Sequence, residues 1–205
     1  MKKVKYPIYQ NDIPANIEWG SSVAVDTETL GLIPVRDRLC VVQLCGIGGD
    51  VAVVQMKRYD QSPNLCALLN DNSVEKLFHF ARFDVAVLKH YLGVNIAPLY
   101  CTKVSSRIAR CNTERHGLPD LCQFFLNEKL MKEQQKSDWG ADVLTQEQVR
   151  YAASDVIHLH AIKDRINILL EREGRVDLAH KVCQFIATCA ELDLMQTDYR
   201  YLIEH

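Results

Sequence analysis

The run from Val23 to Leu32, Val-Ala-Val-Asp-Thr-Glu-Thr-Leu-Gly-Leu, constrains this chain more than any other stretch. Its first residues are small or β-branched, which is the composition of a buried strand, and the run ends in two acids before Gly31 turns the chain away. In an extended backbone residues i and i+2 point to the same side, so Asp26 and Glu28 direct both carboxylates at one spot. Like charges placed together repel, and a cation is what offsets the repulsion. Whatever fold the chain adopts must bring a metal site to the end of this strand.

The rest of the pattern predicts what surrounds that strand end. After a charged loop at Arg36-Asp37-Arg38, Leu39 to Ile47 reads as a second strand ended by Gly48-Gly49-Asp50, and Val51 to Gln55 as a third. Loops this short join antiparallel neighbours, so the three form a meander. Residues 1 to 20, with Pro7 and Pro14, read as a short strand or an irregular lead-in. Ser62-Pro63 starts a short helix with Leu65, Leu68 and Leu69 on one face. Leu77 to Phe80 is a brief strand, and Ala81 to Leu92 has helical spacing, with Gly93 placed to stop it. Residues 95 to 101 add a last strand. From Thr102 the pattern is helical: Val104 to Ala109, Leu118 to Leu126, then a polar loop around residues 134 to 140. The longest run, Leu144 to Leu170, opens with the Thr145 and Gln148 spacing of a capping box. Gly174 breaks the chain before a final helix from Val176 to Leu192. Strands first and helices after predict an α/β fold, a mixed five-stranded sheet flanked by helices. At 205 residues and 48% hydrophobic content it is read as one domain, residues 1–205, with a helical tail from about 171.

Two further acids belong with the first pair. Asp84 falls in the first turn of its helix, where the helix macrodipole alone would favour it. Asp155 follows Tyr151 by four residues on the long helix, so both project from one face a turn apart, and Ala152, Ala153 and Ser154 between them permit close approach to the sheet. His158 lies near the same face and reads as a core histidine more than a ligand. Asp26, Glu28, Asp84 and Asp155 together make an oxygen-rich set suited to Mg²⁺ or Mn²⁺ and unsuited to zinc. Two such ions about 3.5 to 4 Å apart are the arrangement for in-line displacement at phosphorus, and a nearby tyrosine hydroxyl can orient the attacking water.

Composition excludes several classes. No apolar run approaches the roughly 18 residues of a membrane span, and the basic start is followed by polar residues and Pro7, so a cytoplasmic protein with no membrane partner is expected. Eight cysteines without a two-residue spacing, most inside apolar runs, read as buried thiols in a reducing compartment. A net charge of −2 supplies no overall attraction for a polyanion, which must be held locally. Candidates are Arg36 and Arg38, the trio Lys103, Arg107 and Arg110 along one helix, and Lys129, Lys132 and Lys136. A lysine on a helix is more often just a solvated face.

Asp26-Thr27-Glu28, His79-Phe80-Ala81-Arg82-Phe83-Asp84 and Tyr151-Ala152-Ala153-Ser154-Asp155 resemble the three exonuclease motifs of the DEDD superfamily. The tyrosine four residues before the last aspartate is similar to the DEDDy subgroup. Leu39-Cys40-Val41-Val42-Gln43-Leu44 and Gln135-Lys136-Ser137-Asp138-Trp139 resemble ribonuclease D more closely. The resemblance, over about residues 20 to 170, implies an RNase H-like fold and hydrolysis from a nucleic acid 3′ end by two divalent ions, releasing 5′-mononucleotides. RNA is the implied substrate ahead of DNA. It implies that Asp26 bridges the ions, that Glu28 and Asp155 ligate the one that activates water, that Asp84 contacts the second, and that Tyr151 positions the water. Thr29, Leu30 and Gly31 would meet the 3′-terminal nucleotide, although Leu30 reads equally as an ordinary turn residue. His79, Phe83, Gln135, Ser137 and Trp139 are further candidate substrate contacts, but an aromatic beside an apolar stripe is more often core. Larger ribonuclease D proteins carry HRDC domains, for which 205 residues leave no room.

Two other classes compete. Asp26 to Gly31 superficially resembles the Asp-x-Asp-x-Thr signature of haloacid dehalogenase phosphatases, but Glu28 in the second acidic position and the other three site residues argue against it. A nucleic-acid-binding module without catalysis usually loses a metal ligand, and all four are present.

Overall fold

Val23, Ala24 and Val25 are wholly buried, and burial on both faces of one strand requires helices on both sides of the sheet. The computed structural model of the chain describes residues 6–130, 137–197, 200 and 202. Strand β2 (Ser22–Thr29) runs antiparallel to β3 (Leu39–Gly46), which runs antiparallel to β4 (Val51–Gln55), the meander that the short loops predict. On its other edge β2 pairs in parallel with β5 (Glu75–Phe78), and β5 with β6 (Leu99–Cys101).

Among the described residues the sheet has six strands, one more than the five expected, in the order β1-β4-β3-β2-β5-β6. The additional strand is β1 (Ile8–Gln10), formed by the lead-in and paired in parallel with β4. Its three residues are too short to show a period in the sequence, and the pairing comes from the exposed edge that β4 offers.

One face of the sheet packs Val23, Val25, Val42 and Leu44 against α1 (Pro63–Asn70), α2 (Arg82–Leu92) and α7 (Val176–Leu194). The opposite face packs Ala24, Cys45 and Leu77 with α4 (Leu118–Leu126) and the helical run after residue 145. That run is two helices, α5 (Gln146–Ile157) and α6 (Leu159–Arg172), where the periodicity predicts one. No Gly or Pro marks the break. It falls at His158, whose φ of −96° and ψ of −10° flatten the turn, so α5 can lie on β2, β3 and β4 while α6 turns toward α3 (Thr102–Ala109) and α4. With that division α7, at 19 residues, is the longest helix among those described.

The capping box at the start of α5 is present: Gln148 N donates to the Thr145 hydroxyl at 3.2 Å, and Thr145 N to Gln148 Oε1 at 2.8 Å. Gln148 Nε2 also donates to Asp138 O at 3.0 Å, tying the preceding loop to the helix. All eight cysteines are free thiols, six of them buried. Among the described residues no helix is long and apolar enough to cross a membrane.

Candidate active site

Asp26 and Glu28 leave the carboxyl end of β2 on the face that carries Ala24, the face on which α5 lies. Ala152 and Ala153 are fully buried, so α5 approaches the sheet closely and brings Asp155 to the strand end. Carboxylate oxygens of Asp26, Glu28 and Asp155 all lie within 4.8 Å of one another. Across the β2–β3 pair, directly opposite Asp26, the fully buried Gln43 turns its amide Nε2 toward Asp26 Oδ2 at 3.5 Å.

Asp84 reaches this cluster by another route. Pairing of β5 with β2 ends at Ala24 and Leu77, so the edge of β2 beyond it is open. Asp84, in the first turn of α2, fills the gap: its Oδ1 accepts from Thr27 N at 3.1 Å and from the Thr27 hydroxyl at 2.6 Å. Thr27 points to the α2 face while its neighbours Asp26 and Glu28 point to the α5 face. The acids therefore converge on the strand end from both sides of the sheet.

Burial raises the pKa of each acid. Asp26 is pushed up to about 7, with the Thr27 backbone hydrogen bond opposing. Burial, reinforced by Asp26, Asp155 and Asp84, takes Glu28 to about 10. Burial and the Asp26 charge take Asp155 to about 8, against the lowering effect of the Tyr151 hydroxyl. Asp84 is raised by burial and by Asp26, opposed by Thr27. The ion pairs of the described residues include none of the four. An all-oxygen donor set, with Asp84 buried and Asp26, Glu28 and Asp155 half-buried, that repels itself and has no protein cation fits a hard divalent ion. Tyr151 is 8% exposed, and burial and Asp155 raise its phenol pKa above the ordinary value, so the hydroxyl stays neutral and able to donate.

A family model described as 3′-5′ exonuclease matches residues 9–171. The chain belongs to the 3′-5′ exonuclease family. Ribonuclease D of Acidiphilium cryptum (strain JF-5) is 36% identical to the exonuclease over 157 residues, 76% of this chain and 39% of the relative. The chain thus spans about two fifths of the length of that curated relative. Among solved structures, Brucella melitensis NrnC superposes with a TM-score of 0.89 at 46% identity and covers 93% of each chain. Escherichia coli RNase D shares the fold, with a TM-score of 0.74 at 24% identity over 83% of this chain and 45% of that one.

The expected substrate contacts divide by where the exonuclease places them. The Thr29 hydroxyl donates to Gly31 O, and Leu30 stands 55% exposed beside the acids. A Cβ on Gly31 would come 2.2 Å from Asp37 Oδ2, so a side chain there would displace the Asp37 carboxylate from Ile33 N and Arg36. Leu30 leans on the turn at Gly140, where a Cβ would meet its Cδ2 at 2.9 Å. Phe83 is half-buried and lines an open crevice with Leu32, Ile33 and Phe80. Trp139 is 2% exposed and packs on Tyr151 with ring centroids 6.0 Å apart, so its indole supports the tyrosine from inside the core. His79 faces away from the acids' hydrogen bonds: its Nδ1 lies 2.9 Å from the Thr102 hydroxyl, which itself donates to Phe78 O at 3.1 Å. That hydroxyl has spent its proton, so Nδ1 is the protonated nitrogen, and burial with Lys103 holds the ring near a pKa of 3. Ser137 begins the described part of its loop, and Gln135 lies outside the described residues.

One residue beside the site escaped the sequence reading. Phe80 has a φ of +69° and is 49% exposed, with Lys103 Nζ 4.0 Å from its ring centroid. Its sequence signal was slight: the Leu77 to Phe80 strand ran into the Ala81 helix with no residue left to turn the chain. In the structure β5 stops at Phe78, and the turn is made by the aromatic itself.

Proposed function

We propose that the chain is a metal-dependent 3′-to-5′ exoribonuclease that shortens single-stranded RNA from its 3′ end and releases 5′-mononucleotides. The observation that supports this reading most directly is the convergence of Asp26, Glu28 and Asp155 oxygens within 4.8 Å, with Asp84 held beside them by Thr27. The four acids would hold two divalent ions, Mg²⁺ or Mn²⁺. Such a pair supplies activation of water and stabilisation of the leaving oxygen in an in-line displacement.

The chain's own residues do the remaining work. Tyr151, neutral at working pH and next to Asp155, directs its hydroxyl at the attacking water and does not act as base. Thr27 fixes the Asp84 carboxylate. Thr29, Leu30 and Gly31 receive the 3′-terminal nucleotide, and Phe83 borders the crevice formed by Leu32 and Ile33, the next residues of that loop. Structures of the Brucella melitensis neighbour with bound Mg²⁺ and bound to pGG support both the metal and RNA.

The test compares 5′-labelled single-stranded RNA and DNA, with Mg²⁺ or Mn²⁺ and with chelator, for wild type and Asp26→Asn. Stepwise 3′ shortening of RNA ahead of DNA, abolished by chelator and by the substitution, is expected. Shortening that survives either loss overturns the reading, and equal rates on DNA overturn its substrate preference.

A further inference from the structure

We propose that Phe80 and three cations, Lys103 and Arg107 on α3 and Arg110 at its C-cap, form a track for the nucleic acid on the 5′ side of the scissile bond, continued by Phe124 of α4. This rests on the exonuclease reading and extends the site away from the 3′-terminal nucleotide.

The starting point is strain. An aromatic residue with φ near +69° is rare, because its Cβ crowds the backbone, and such residues collect where function over-determines the conformation. The turn lifts the Phe80 ring out of the core to 49% exposure, four residues before Asp84. The ring borders two crevices. One is shared with Leu32, on the side of the loop that follows Glu28, and the other, of about 220 Å³, is shared with Arg107.

Helix α3 begins where β6 ends, and Thr102 pins that junction to the end of β5. Its first turn therefore starts at the end of β5, next to the turn that carries Phe80. Lys103 and Arg107 are four residues apart and share one helical face, and Arg110, one residue past the helix end, extends the row toward Phe124, so the three span about 10 Å, enough to follow more than one phosphate.

The state of these cations separates them from an ordinary solvated face. None of the three has a carboxylate ion-pair partner among the described residues, whereas Arg36, Arg82 and Lys163 each do. Two lie over exposed rings instead: Lys103 over Phe80, and Arg110 over Phe124 at 4.1 Å. Phe124 is 62% exposed. Burial and the Arg107 charge both lower the pKa of Lys103, a repulsion that an anion would relieve. Unpaired cations interleaved with exposed rings are the elements of a single-strand platform, in which the groove tracks the backbone and the bases stack without sequence preference. In a chain of net charge −2, this stripe supplies the local positive field that a polyanion needs.

The experiment measures kcat/KM on a dinucleotide and on an eight-nucleotide single-stranded RNA for wild type, Phe80→Asn, Phe80→Trp and the double variant Arg107→Ala/Arg110→Ala. Thermal unfolding of each variant is recorded alongside. Asparagine tolerates positive φ, so Phe80→Asn removes the ring without adding backbone strain. The long RNA should lose about tenfold more than the dinucleotide in Phe80→Asn and in the double variant, while Phe80→Trp keeps the wild-type ratio. For the double variant, binding of the long RNA to the Asp26→Asn background should show a salt slope shallower by about one to two. Equal losses at both lengths, or no loss at either, overturn the track and leave the exonuclease reading standing, whereas a wild-type enzyme that cleaves only the dinucleotide overturns both the track and the stepwise shortening and leaves only metal-dependent phosphodiester cleavage. A wild-type enzyme that cleaves neither length with Mg²⁺ or Mn²⁺ overturns both.

Discussion

Removing divalent metal should make the stability of this chain fall steeply as pH rises from 5 to 8. Asp26 has an ordinary carboxylate pKa in the unfolded chain and about 7 in the fold, because burial disfavours its charge. Over that interval the folded state binds more protons than the unfolded state, so raising the pH favours unfolding. Below about pH 4 both states are protonated and the acid costs nothing. Above about pH 7 the full cost is present. A shift from 3.8 to about 7 corresponds to about 4 kcal/mol at 1.36 kcal/mol per unit. The part of that cost arising between pH 5 and 8 is roughly 2.5 kcal/mol, and since each kcal/mol moves Tm by roughly 2 to 4 °C for a domain of this length, Asp26 alone gives a fall of about 5 to 10 °C over the interval. Asp155, raised to about 8, adds to the same slope. Divalent metal should reverse the effect: at a hundred times Kd it adds about 2.7 kcal/mol, but only where the ligands have lost their protons. The assay is a thermal unfolding series in chelator and in saturating Mg²⁺ or Mn²⁺, for wild type and Asp26→Asn. The metal-induced rise in Tm should grow from near nothing at pH 5 to several degrees at pH 8, and Asp26→Asn should flatten the chelator series. A chelated protein whose Tm is flat or rising from pH 5 to 8 would refute the electrostatic account of the site.

Three substitutions probe the shell around the acids. Tyr151→Phe keeps the packing against Trp139 and removes only the hydroxyl, so kcat should fall by about 10²-fold with metal affinity, followed by calorimetric titration, nearly intact; an equal loss of both would make the tyrosine a metal-site support. Thr27→Val takes away the 2.6 Å donor to Asp84 and should weaken metal binding about 10- to 100-fold while the backbone N–H still holds the carboxylate; unchanged affinity in the same titration would dismiss the role of Thr27. Gln148→Ala removes the glutamine half of the α5 capping box, leaving the Thr145 hydroxyl on the backbone N of residue 148, and breaks the anchor to Asp138, and should cost about 1 to 2 kcal/mol in denaturant unfolding. A loss of activity with unchanged stability would contradict that assignment.

The parts of the fold that could be read from residues are those set by local chemistry. The meander follows from loops too short for anything else, and the start of α5 from a Thr and a Gln three residues apart. What escaped reading was decided by tertiary partners. Strand β1 exists because β4 has a free edge, and the break at His158 exists because α5 and α6 face different layers. Neither leaves a breaker residue or a period in the chain.

The site divides along the same line, and the division shows why the sequence reading was incomplete. Asp26 with Glu28, and Tyr151 with Asp155, have spacings that fix which side chains point together, so each pair is legible once the strand and helix are drawn, while the meeting of the two pairs comes from α5 packing on β2. Asp84 has no such spacing. It lies on the opposite helical layer, and its place depends on β5 ending early enough to leave Thr27 without a strand neighbour. Phe80 depends on the same early ending. With β5 stopping at Phe78, the three residues His79 to Ala81 must turn the chain back into α2, and that turn both swings Asp84 onto the edge of β2 and throws the Phe80 ring outward. One shortened strand thus supplies the fourth acid and the ring beside it. Lengthening β5 by a residue would be expected to disturb both at once, which ties the proposed nucleic-acid track to the acid cluster through the backbone itself.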